Sequence, residues 1–105
     1  MNNQRLQKLL VLREEDPSDI FLVYAIGIEY LGLNQSVDAE KYLRECLVMD
    51  DGYIAAYYQL GSLLQQLGKE EEALAFLEKG LDMLKGSSDL KSINEFRNLI
   101  QEIKY

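Results

Sequence analysis

Cys46 is the one thiol in this 105-residue chain, and the chain holds neither a histidine nor a tryptophan. Lack of histidine removes the usual general base, most transition-metal sites and any Ser-His or Cys-His nucleophile pair. Cys46 follows Leu43 by three residues, which puts it on the inner face of a helix as a small packing residue rather than a reactive nucleophile. The turn Asp50-Asp51-Gly52 has a superficial look of a calcium loop. No alternating Asp/Asn ligands precede it, however, and no Glu stands at the closing position. Gly27 and Gly61 each stand alone inside a helix, so no Gly-rich phosphate cradle forms. The run Glu70-Glu71-Glu72 suits a helix N-terminus, where the macrodipole favours negative charge, and reads as a solvated cap. These residues equip no catalytic site. No enzyme activity, metal or cofactor is expected, and an enzyme working with carboxylates alone is the weakest of the readings considered.

Eighteen acidic residues against eleven basic ones give a net charge of −7. That field repels nucleic acid and anionic lipid, and no Lys/Arg cluster opposes it. Neither nucleic acid nor membrane is an expected partner. The acidity serves solubility or, on a second reading, attracts a basic partner. With 48% hydrophobic residues the chain has the apolar content of a folded domain. It has no run of about 18 apolar residues such as a membrane span needs. Met1 to Arg5 lack the basic start and apolar stretch of a secretory signal, and the single cysteine suits a reducing compartment. The expected setting is the cytoplasm, and the expected organisation is a single domain over residues 1–105.

The positioning elements are legible from a repeat. Displaced by 34 residues, Ile20 falls on Ile54, Tyr24 on Tyr58, Gly27 on Gly61, Leu33 on Leu67 and Ala39 on Ala73. Leu43, Leu47, Met49 and Gly52 then fall on Leu77, Leu81, Met83 and Gly86. A period of this size marks a unit that cannot bury its apolar face alone and stacks on a copy of itself. Apolar spacing predicts helices over about 2–15, 18–33, 36–49, 53–67, 69–85 and 89–104. The breaks fall near Pro17, Asn34, Gly52, Gly68 and Gly86, and Ser18 or Asp19 caps the second helix. No segment has strand spacing. The fold class is all-α.

Tyr57-x-x-Leu60-Gly61-x-x-Leu64 followed by Ala73-x-x-x-Leu77 resembles the tetratricopeptide-repeat pattern, and Val23-x-x-Ile26-Gly27-x-x-Tyr30 with Ala39-x-x-x-Leu43 is the earlier copy. The resemblance implies a right-handed α-α superhelix of helical hairpins. It divides the chain into an N-terminal half repeat (1–19), two full repeats (20–53 and 54–87) and a C-terminal capping helix (88–105). The family's closing proline is absent from both full copies, where Asp51 and Lys85 stand, while Pro17 occupies that slot one period earlier. Gly27, Gly61, Ala39 and Ala73 are the small residues at the closest helix approach.

Charge is distributed unevenly. The helix over 53–67 contains no Asp, Glu, Lys or Arg, and its counterpart over 18–33 has only Asp19 and Glu29. The alternate helices are crowded with charge, as a solvent-facing helix is. By resemblance the charge-poor helix of each pair lines the concave side. Its motif face packs within the stack. A second stripe, Phe21, Tyr24, Ile28 and Leu31, with Ala55, Tyr58, Ser62 and Gln65 one repeat later, looks into the groove. An apolar, tyrosine-bearing stripe fits a peptide or partner helix. The expected function is therefore an adaptor or scaffold module that binds an apolar peptide segment or helix. Two alternatives stay open at this point: a homodimer that buries the same groove or the stack ends, and a stripe that is plain core beneath the terminal helices. The Lys and Asn with which some family members clamp a C-terminal carboxylate are replaced here by Tyr24, Ile28, Tyr58 and Ser62.

Overall fold

The computed structural model describes residues 3–105. They form six α-helices and no strand: α1 (Gln4–Glu15), α2 (Ile20–Gly32), α3 (Ser36–Met49), α4 (Ile54–Gln66), α5 (Glu70–Met83) and α6 (Leu90–Lys104). Each break lies where the sequence places it. The expected start of the first helix, residue 2, lies outside the described residues.

Local chemistry explains the boundaries. Asp19, not Ser18, caps α2: its carboxylate accepts the Phe21 backbone N–H at 2.9 Å. Asp89 caps α6 by accepting from the Ser92 N–H at 3.1 Å, and hydrogen bonds from the Ser92 side chain and backbone hold its carboxyl below the ordinary value. The ends of α2 and α4 are copies of one turn. Gln35 N–H donates to the Tyr30 carbonyl at 3.0 Å, and Lys69 N–H to that of Leu64 at 2.9 Å. Such a bond closes over a left-handed residue, here Asn34 (φ 59°) and Gly68 (φ 79°). The 34-residue period is thus written in the backbone. Gly86 (φ 80°) ends α5 in the same conformation, whereas Gly52 does not adopt it. There α3 stops at an extended Asp50, whose N–H still bonds the Cys46 carbonyl at 2.8 Å.

The chain divides into two compact units, meeting in sequence between Asp51 and Gly52. In the first, α2 and α3 form a hairpin and α1 lies against α2. Val23, Ile26, Ala39, Leu43 and Cys46 are fully buried, and Leu6 of α1 nearly so. A Cβ on Gly27 would stand 3.2 Å from two Leu43 side-chain carbons, so the missing side chain is what lets α2 and α3 approach. Tyr30 stacks on Tyr42 with centroids 5.6 Å apart. Two ion pairs tie α1 down: Arg5 with Glu29 at 3.0 Å, and Arg13, whose guanidinium meets both carboxylate oxygens of Glu45 and lies over the Tyr42 ring. Partly exposed pairs of this kind contribute about 0–1 kcal/mol each, so apolar burial is the main attachment.

In the second unit α4 and α5 pair, and α6 packs on α5 and reaches α4. The charge-free helix α4 buries Ala56, Tyr57, Leu60, Gly61, Leu63 and Leu64, twice as many residues as α3 or α5. Two glycines set the helix spacing. A Cβ on Gly61 would overlap Leu77, and one on Gly80 would lie 2.7 Å from the tip of the Phe96 ring and 3.1 Å from the Tyr57 Cβ. Phe96 therefore seats its ring in a notch that only glycine leaves open.

Candidate functional site

The two faces expected on the first helix of each pair separate in the structure. On α2 the motif positions Val23 and Ile26 are fully buried. On the other stripe, Tyr24, Ile28 and Leu31 are half-buried and Phe21 is 64% exposed. The same holds on α4. Tyr57, Leu60, Gly61 and Leu64 are buried, Tyr58, Ser62 and Gln65 are half-buried, and Ala55 is exposed. None of the stripe residues is core. Phe21, Tyr24, Ile28 and Leu31 run along one face of the first unit, and Tyr58, Ser62 and Gln65 along one face of the second.

Tyr58 has surroundings that the sequence reading missed. Its ring meets the edge of Phe96 at 5.4 Å, with the planes 82° apart. Burial raises its phenol above the ordinary value, and the nearby carboxylates of Glu95 and Glu102 add to that. The hydroxyl stays protonated and the region around it is negative. Three α6 residues thus flank Tyr58. The repeat hid them because α6 begins at Leu90, 36 residues after Ile54 rather than 34. With that offset Phe96 stands in the place of Leu60, and Arg97 in the place of Gly61.

The residues with chemical potential are placed as packing and surface groups. Cys46 is fully buried, and burial pushes its thiol up to about 11, so it stays protonated and weakly nucleophilic. Glu70, Glu71 and Glu72 are exposed in the first turn of α5. Among the described residues no three His, Cys, Asp or Glu side chains gather as metal ligands would. No described helix is long and apolar enough to cross a membrane.

Residues 54–83 match the family model of the tetratricopeptide repeat. No curated protein matches the sequence. Among solved structures, a tetratricopeptide repeat domain protein of Salinibacter ruber superimposes with a TM-score of 0.76 at 23% identity, over 82% of this chain and 96% of that one. A protein of Bordetella parapertussis gives 0.82 at 23% identity, over 98% and 89%. MamA gives 0.75 at 17% identity, over 96% of this chain and 66% of its own. Repeats of this family generally mediate protein–protein interaction and are generally non-catalytic. Residues 54–83 therefore match a tetratricopeptide repeat, and the six helices have the fold of small tetratricopeptide-repeat proteins.

Proposed function

We propose that the chain is a non-catalytic adaptor or scaffold module that binds an apolar peptide segment or helix, with Phe21, Tyr24, Ile28 and Leu31 of α2 as contact residues in the first unit and Tyr58, Ser62 and Gln65 of α4 as contact residues in the second. The observation that carries the reading is a row of aromatic and aliphatic side chains left out of the core, on the face opposite fully buried motif positions. Tyrosine gives broad contact area with one polar handle and little rotamer entropy to lose. The partner that fits is apolar along one side and carries basic residues, because the chain is −7 overall and Glu95 and Glu102 lie near Tyr58. A cytoplasmic location belongs to the same proposal.

Replacing Tyr24 and Tyr58 together by Ala tests it. A peptide selected from a random display library against the native protein serves as probe. The double variant is expected to bind that peptide about 1–4 kcal/mol more weakly. Melting should fall modestly, with the lost Tyr58–Phe96 ring contact contributing about 0.5–1.5 kcal/mol. Unchanged affinity of the folded variant would retire the stripe as the binding face.

A further inference from the structure

We infer that the outward face of α1 is a homodimer interface, on which α1 of a second copy lies antiparallel about a twofold axis. The proposal is independent of the stripe on α2 and α4. Leu6, Leu9, Leu10 and Arg13 turn one side of α1 toward its own unit, where Leu6 is 5% exposed. On the opposite side Lys8, Val11, Leu12 and Glu15 fall at spacings of three and four, all exposed. Val11 and Leu12, 55% and 46% exposed, line a shallow apolar depression of about 410 Å³ with Gln7 and Lys8. On a helix whose solvent face should be polar, this is an unpartnered apolar centre.

Charge identifies the occupant. The order Lys8, Val11, Leu12, Glu15 is self-complementary. In an antiparallel pair centred between Val11 and Leu12, each Lys8 stands opposite the other copy's Glu15, and each Val11 opposite Leu12. A twofold interface requires this pattern, in which residue i meets j and j meets i. The same charges run against the helix's own dipole. Its first turn carries no acidic residue, while Glu14 and Glu15 stand in the last turn, where negative charge is unfavourable, and the one basic residue there, Arg13, is engaged with Glu45. An antiparallel neighbour reverses that penalty by laying its positive N-terminal end and Lys8 beside them. A local rule broken in the lone helix is satisfied in the pair. The patch is small, so the dimer is a weak one.

Sedimentation equilibrium of the full chain, from about 10 µM to 1 mM, covers the affinity range of such an interface. The weight-average mass is expected to climb from 12.1 kDa toward twice that value. Lys8→Glu or Glu15→Lys alone replaces two attractive pairs by two repulsive ones and should weaken association roughly tenfold. The double reversal, Lys8→Glu with Glu15→Lys, restores the pairing and should restore the mass. Leu12→Arg should abolish the dimer. All three altered positions are exposed, so the variants should keep the native helical spectrum. A wild-type mass fixed at 12.1 kDa across the range would overturn the proposal. So would a dimer indifferent to the single reversals, or one that the double reversal fails to rescue.

Discussion

Gly61→Ala is expected to destabilise the protein by about 1–3 kcal/mol, although alanine is the better helix former by about 1 kcal/mol. The added methyl would sit inside the van der Waals envelope of Leu77, overlapping its Cγ and both Cδ carbons, the farther of them at 3.1 Å. Leu77 is fully buried and has nowhere to swing, so α4 and α5 must part. Gly32→Ala is the matched control. Gly32 is the last residue of α2, and a Cβ there meets nothing within 4 Å. That change should stabilise by about 0.4–1 kcal/mol by restricting the unfolded chain. Denaturant melts of both variants check the pair. If Gly61→Ala stabilised as Gly32→Ala does, the close approach of α4 and α5 would be wrong.

Phe96→Ala should cost more, about 3–5 kcal/mol, because it empties a fully packed site between α5 and α6. A second substitution makes the test specific to the notch. Gly80→Ala alone should destabilise, since its methyl runs into the Phe96 ring. In the double variant that methyl enters space the ring has vacated. The combined loss should therefore fall short of the sum of the two single losses. Strictly additive losses in equilibrium unfolding would contradict the seating of Phe96 over Gly80.

The structure also shows which parts of the molecule a sequence carries openly. The hairpins were legible because local backbone rules and packing rules agree at the same residues. Asn34 and Gly68 tolerate the left-handed turn that ends α2 and α4. Gly27 and Gly61 are small where helices touch. The charge-free run over 53–67 marks the helix with the most buried residues. The break at Gly52 was legible, but not its mechanism, because glycine permits a left-handed conformation without requiring it. The surroundings of Tyr58 were not legible. They depend on a two-residue shift of α6 relative to the period, and the register of a helix after an irregular turn is set by tertiary packing. The Phe96 notch has the same origin: Gly80 reads as an unexplained glycine until the ring that fills it is placed. On α1, the sequence shows Leu6, Leu9, Leu10, Val11 and Leu12 without dividing them between faces. Only burial separates Leu6 on the inside from Val11 and Leu12 on the outside.

The most direct test of the binding account is an amide chemical-shift titration of the isotope-labelled chain with its display-selected peptide. The account predicts saturable shifts along one face of α2, at Phe21, Tyr24, Ile28 and Leu31, and along one face of α4, at Tyr58, Ser62 and Gln65. It also predicts shifts at Glu95 and Glu102, and none at the exposed α3 position Lys41 or in the first turn of α5 at Glu71. Shifts centred on Lys41 and Glu71, with Tyr24 and Tyr58 unmoved, would contradict it.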